Sequence, residues 1–219
     1  MVAAPRTRAL PPLLWISDGR GDVERLVGIA TVAVAAGLRA VQLREPSWSA
    51  RQLADACARM RPLFARVGGA LLVNDRVDVA ASGCCDGAQV GHRSLQVAEA
   101  RRVLGAAPWL GASCHDAEEL AVAAAGGADF ALLSPVWPTA SKPGNPALDV
   151  AAAGALTAAA RLPVHWLGGV TAARIAATQA LPRSQRPAGF AVLGAIGAAA
   201  DPAAVTAELV RSVAAALAP

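Results

Sequence analysis

At 219 residues, 55% apolar and 16% charged, the chain carries enough apolar material for one large buried core and lacks the polar bias of a disordered segment. Its formal net charge of +4 comes from basic residues, all but one of them arginine, spread along the chain with no basic run or interleaved aromatics, which argues against a nucleic-acid partner and suits a small anionic ligand. No apolar run reaches the ~18 residues needed to span a bilayer, so no membrane partner is expected.

In chain order, residues 1–11 read as a short tail without a small-residue cleavage site, consistent with a cytoplasmic protein. Eight short β-like runs follow: LLWISD (13–18), AVQLRE (40–45), ALLVND (70–75), GAQVG (87–91), WLGASCH (109–115), DFALLSPV (129–136), PVHWLGG (163–169) and GFAVLGA (189–195). Between them lie alanine-rich helical stretches, among them 47–60, 94–105, 116–127, 171–181 and 201–218. Several open on a capping residue: Ser47 or Ser49, Ser94, Asp116, Thr171 and Asp201. Strands separated by helices are parallel, and eight repeats without a change of rhythm predict a single-domain (β/α)8 TIM barrel over residues 1–219. An open doubly wound sheet is the structural alternative. The longest strand-to-helix loop, WPTASKPGNP (137–146), is the candidate lid.

In such barrels the active site lies at the C-terminal ends of the strands. Those ends are polar here: Ser17 and Asp18, Gln42 and Arg44, Asn74 and Asp75, His92 and Arg93, Ser113 and His115, then Thr139, Ser141 and Lys142. Lys142 is the only lysine in the chain; composition alone assigns it to coding bias, and its place on the long loop over the barrel mouth turns the reading to an anion. Gly168 and Gly169 before Thr171, with Gly194 and Ala195, match a phosphate cradle in which glycines and helix starts present backbone N–H groups. His115 is placed as a general acid/base, with Asp116 free to cap the next helix. His165, mid-strand, is expected to pack in the barrel wall or outer layer. Cys57, Cys84, Cys85 and Cys114 have no metal-like spacing and read as reduced, buried small residues.

The segments VQLRE (41–45), VNDRVDVA (73–80), DGAQVG (86–91), LGASCHDAEEL (110–120), GADFALLSPVWPTASKPG (127–144), WLGGV (166–170) and FAVLGAIG (190–197) resemble the thiamine phosphate synthase and TenI-type thiazole tautomerase superfamily. The resemblance runs from about residue 12 to residue 215. It implies that Gln42, Arg44 and Asn74 contact a pyrimidine or its diphosphate, that Ser113 lies on the pyrimidine side, and that Asp75 is a metal ligand. It further implies that Thr139, Ser141 and Lys142 hold diphosphate oxygens, while Gly169 and the strand-eight end hold a thiazole phosphate.

Two departures from the synthase pattern stand out. Pro46 replaces a lysine after the Arg-Glu pair, and Ser94, beside Arg93, replaces the aspartate that would be a second metal ligand. The expectation drawn from them is the tautomerase: a proton-transfer aromatisation by His115 with no cofactor, in which Lys142, Arg44 or Arg93 meets a substrate carboxylate. The synthase, with Mg²⁺ and release of diphosphate, is the alternative, and a non-catalytic thiazole or thiamin phosphate binder is a second. In each case the partner is a small phosphorylated thiazole ligand, with a homo-oligomer possible.

Overall fold

The computed structural model describes residues 9–139 and 146–218. Its strands are β1 (Leu13–Ile16), β2 (Ala40–Leu43), β3 (Ala70–Asn74), β4 (Gly87–Val90), β5 (Trp109–Cys114), β6 (Phe130–Leu133), β7 (Val164–Leu167) and β8 (Gly189–Val192). They pair in parallel, each with the next, and β8 returns to β1 to close the barrel. The connecting helices are α1 (Val23–Ala35), α2 (Ala50–Ala65), α3 (Val77–Ala81), α4 (Val97–Leu104), α5 (Ala117–Ala125), α6 (Val150–Ala159), α7 (Ala172–Ala177), α8 (Gly194–Gly197) and α9 (Pro202–Ala216). The predicted (β/α)8 TIM barrel is therefore the observed fold, and none of the described helices is long and apolar enough to cross a membrane. Leu10 is buried and the Pro12 carbonyl accepts from the Phe190 N–H (2.7 Å), so the end of the expected tail already belongs to the barrel base.

Each strand stops one to three residues before its predicted end, where the chain turns onto the rim. The expected caps hold at Ser49, Asp116, Thr171 and Asp201, whose side chains accept N–H bonds from the first helical turn. Ser94 is the exception. Helix α4 starts later, with Gln96 at its cap and its N–H held by Glu99 (3.2 Å), which leaves the Ser94 hydroxyl for another purpose.

Alternation along the strands sorts the core into two layers. One face of each strand carries Leu13, Trp15, Val41, Leu43, Leu71, Val73, Leu110, Leu133, Trp166 and Phe190 into the packing with the helices. The other face fills the barrel with Leu14, Ile16, Ala40, Ala70, Leu72, Trp109, Phe130, Leu132 and Ala191. Large rings fit inside because glycines face them. A Cβ at Gly87 would collide with Trp109, one at Gly111 with the Phe130 ring, and one at Gly189 with the His165 ring.

His165 thus lies inside the barrel instead of in its wall or outer layer, stacked edge-on to Phe130 (5.8 Å between centroids), with Nδ1 lacking a hydrogen-bond partner among the described residues. The glycine across the ladder at position 189 is what makes that placement possible. Burial pushes its pKa down from 6.5 to about 4, so the imidazole stays neutral in the fold.

Between pH 6.5 and 4 the unfolded chain binds a proton at this residue that the fold excludes, so stability falls as pH falls through that window. The loss attributable to His165 amounts to about 3 kcal/mol at one unit of pKa per ~1.4 kcal/mol. Urea denaturation across pH 4–7 should show this acid limb, and His165→Leu should flatten it; an unchanged slope in that variant removes His165 as its cause.

Candidate active site

The C-terminal rim of the barrel encloses a cavity of about 440 Å³. Its floor is the uppermost inward layer of the strands: Ile16, Gln42, Asn74, Gln89, Ser113, Ser134, Leu167 and Ala191. Polar residues concentrate on the β2–β5 side and backbone-rich loops on the β7–β8 side, so the cavity has two chemically different halves.

On the first half a hydrogen-bond chain runs around the rim. Gln42 Nε2 donates to Asn74 Oδ1 (2.8 Å), and Asn74 Nδ2 donates to Asp75 Oδ2 (2.7 Å). Asp75 Oδ1 then accepts from the Gly91 N–H (3.3 Å) and from the Ser94 hydroxyl. Alongside, Gln89 Nε2 donates to Ser113 Oγ. Asp75 adopts a left-handed backbone (φ +60°), a conformation that aspartate tolerates better than most residues and that aims its carboxylate across the β3–β4 loops. Gln42 is almost fully buried, yet its Oε1 has no partner among the described residues. An unpaired buried acceptor costs about 1–3 kcal/mol, which a ligand N–H or O–H at that point would offset.

Arg44 and Arg93 also line this half, and neither guanidinium has a hydrogen-bond or ion-pair partner among the described residues. Two unpaired cations on one wall are an anion site by charge alone. The Arg44 backbone is fixed from behind. Its N–H donates to Ser17 Oγ (2.8 Å), and Ser17 donates to the buried Glu45 carboxylate (2.6 Å). Glu45 also accepts the N–H groups of Gly19 (3.2 Å) and Gly21 (2.7 Å), so one buried carboxylate ties β2 to the β1–α1 loop.

The second half is a backbone cradle. Gly168 (φ +99°) and Gly169 (φ +64°) follow β7, and no side chain fits at either. A Cβ at Gly168 would lie 2.9 Å from Pro135, and one at Gly169 would lie 2.6 Å from the Pro138 carbonyl oxygen. Gly194 and Ala195 open the α8 turn, which no side chain among the described residues caps. The far end of that turn is held by Arg25, which grips Asp18 with both nitrogens (3.1 and 2.8 Å) and donates to the Gly197 carbonyl.

His115 and His92 both reach the cavity wall. Glu119 accepts from the His115 backbone N–H (2.7 Å) and meets its Nδ1 (2.8 Å), so the ring is oriented by a carboxylate one helical turn away. Thr139 reaches the cavity as well, whereas Ser141 and Lys142 lie outside the described residues, as does most of the expected lid. The structure therefore gathers Gln42, Arg44, Asn74, Asp75, His92, Arg93, Ser113, His115, Thr139, Gly168, Gly169, Gly194 and Ala195 around one cavity. Sequence reasoning left Gln89, Ser134 and Glu45 without a role. The inward parity of β4 would have found Gln89, since it stands opposite Asn74 in the β3–β4 ladder.

Comparison with known proteins bears on the reaction. A family described as thiamine monophosphate synthase matches residues 13–196. A thiamine-phosphate synthase of Laribacter hongkongensis is 39% identical over 190 residues, covering 86% of this chain and 88% of that protein. One from Salinispora tropica is also 39% identical, over 93% and 98% of the two chains. Among solved structures, a thiamine phosphate pyrophosphorylase from Pyrococcus furiosus superposes with a TM-score of 0.81 at 25% identity, covering 94% of this chain and 96% of that one.

These relatives overturn the expectation of a tautomerase drawn from Ser94 and Pro46. The physical ground for that expectation also weakens, because Ser94 takes the lost carboxylate's place beside Asp75 and Arg93 forms no ion pair with Asp75 among the described residues. A protein with this barrel, this divided cavity and relatives of this identity belongs to the thiamine monophosphate synthase family.

Proposed function

We propose that this chain is a transferase that joins a hydroxymethylpyrimidine diphosphate to a thiazole phosphate, with loss of diphosphate, in the cytoplasm. The observation that carries the reading is the division of the cavity into two halves. Two guanidinium groups, unpaired among the described residues, and one carboxylate face an uncharged glycine cradle, which suits two anionic substrates of different charge.

In this reading the pyrimidine ring lies on the amide floor, where Gln42 Oε1 accepts a ligand N–H and the Gln89–Ser113 pair holds a ring edge. Arg44 and Arg93 take up the charge that develops on the departing diphosphate. Thr139, with Ser141 and Lys142, adds the loop-side contacts implied by the Pro-Thr-x-Ser-Lys-Pro setting. The N–H groups after β7 and at the start of α8 bind the thiazole monophosphate, so that the ring nitrogen faces the pyrimidine methylene carbon. Nucleophilic attack forms the carbon–nitrogen bond as the carbon–oxygen bond to diphosphate breaks. His115, steadied by Glu119, and His92 stand at the cavity wall as polar contacts for the leaving group or the substrates.

The family implies Mg²⁺, and the donor set here fits it. Asp75 supplies a carboxylate and Ser94 a neutral hydroxyl oxygen in contact with it, and Mg²⁺ commonly uses one or two carboxylates with phosphate oxygens and water. When bound there, the ion would neutralise part of the diphosphate charge.

Incubation of the protein with both substrates should yield thiamin phosphate and inorganic diphosphate in equal amounts, and only when Mg²⁺ is present. A chain that forms no thiamin phosphate under these conditions is not this transferase. Asp75→Asn preserves the left-handed backbone and the shape while removing the charge, so turnover should drop by a factor of about 100 or more, the range set by loss of a group that acts electrostatically in the transition state. Ser94→Asp places a second carboxylate at the site and should lower the Mg²⁺ concentration for half-maximal rate several-fold; an unchanged or raised requirement would separate Ser94 from the metal.

A further inference from the structure

Three of the four cysteines, distant in sequence, converge in space. Cys57 sits in the middle of α2, on the buried stripe with Leu53, Ala56, Met60 and Phe64. Cys84 and Cys85 lie in the turn between α3 and β4. The three Sγ atoms lie within 4.8 Å of one another, and among the described residues no other group of three potential metal ligands is this close. Neighbouring residues seldom present both side chains to one point, so the turn must be held in an unusual shape.

Several contacts hold it. Cys84 Sγ donates to the Val79 carbonyl and Cys85 Sγ to the Gly87 carbonyl, each at 3.4 Å. Gly83 takes a left-handed backbone (φ +81°) between them and the helix. Arg61, one turn beyond Cys57 on α2, donates to the Gly83 carbonyl and stands 3.8 Å from the Asp86 carboxylate, while the other Asp86 oxygen accepts from the Leu71 N–H (2.8 Å). The turn is thus tied to α2, to α3 and to β3 before any ligand arrives. Cys57 and Cys85 are buried and Cys84 is partly exposed, which leaves one approach from solvent.

We propose that Cys57, Cys84 and Cys85 form a binding site for a soft monovalent d¹⁰ cation of the copper(I) class, at the opposite end of the barrel from the cavity. Sulfur ligands select soft cations. With metal–sulfur bonds of about 2.3 Å, a trigonal centre needs sulfurs about 4 Å apart, within the span found here. Zinc(II) in a protein-enclosed site takes four ligands, and the cluster offers three, so the coordination number favours copper(I). Loading releases the thiol protons to solvent as the metal–sulfur bonds form.

The site shares no residue with the cavity, and its test is independent of transferase activity. The reduced full-length protein is titrated anaerobically with copper(I) against a chromophoric copper(I) chelator, with zinc(II) in a parallel titration. One equivalent of copper(I) should bind, with an ultraviolet thiolate-to-metal charge-transfer band. Cys84→Ser, a substitution at the partly exposed position where folding is least at risk, should weaken copper(I) binding at least tenfold and leave thiamin phosphate formation unchanged. Cys114→Ser should bind as the parent does. The proposal is overturned by the absence of chelator-competitive binding, by equal affinity in the parent and Cys84→Ser, or by zinc(II) outcompeting copper(I).

Discussion

The closure of eight parallel strands into one ring, with side chains alternating inward and outward, is the constraint on which the site depends. Once the ring closes, the inward positions form layers, and their contents decide what the barrel can do. The lower layers are plugged by Trp109, Phe130 and His165, each admitted by a glycine on a neighbouring strand. The uppermost layer carries Gln42, Asn74, Gln89 and Ser113, four polar side chains that would be out of place one layer lower. Without the apolar plug beneath them, water would enter from below and weaken every electrostatic contact above. The floor of the cavity is therefore made by the same packing that stabilises the fold.

The two halves of the cavity are built by different means. The β2–β5 half relies on side chains linked one to the next, from Gln42 through Asn74 and Asp75 to Ser94. Its rigidity comes from a buried acid outside the cavity. Glu45 holds the β1–α1 loop and, through Ser17, the Arg44 backbone. The β7–β8 half relies on main chain, and its shape is set by the absence of Cβ atoms at Gly168 and Gly169. Arg174 donates to the Gly169 carbonyl and lies over the Trp137 ring (5.8 Å), packing this loop against the one that follows β6. Side-chain chemistry suits a substrate whose charge changes during reaction, and main-chain chemistry suits one that is simply held.

Much of this was readable in the chain. Strands and caps were legible because they rest on local periodicity and on single residues such as Asp116 or Asp201, whose side chains bond within one turn. The rim residues were legible because strand ends in a barrel converge on one face whatever their distance in sequence. Three things were hidden, each set by a tertiary partner. Ser94 looked like a helix cap, but its hydroxyl goes to Asp75, a residue of another loop. His165 looked like a wall residue, since nothing local reveals that Gly189 opens space for it inside. The cysteine cluster was invisible because α2 and the α3–β4 turn meet only in the fold. The reaction was hidden for a related reason: position 94 lacks a carboxylate in the sequence, whereas in the fold its place beside Asp75 is filled by the Ser94 hydroxyl oxygen.

The Asp18–Arg25–Gly197 clamp carries a consequence for how the molecule comes into being. Arg25 and Gly197 are separated by 172 residues, and the clamp lies at the seam where β1 meets β8. A ribosome delivers β1 first, and its outer edge waits unpaired until nearly the whole chain has emerged. The cavity half built from β2 to β5 can organise early, whereas the backbone cradle comes into existence only with the last strand. Closure of the ring and completion of the cradle are one event. A ligand held by the cradle would bind the closed barrel alone and so would latch the ring shut by mass action.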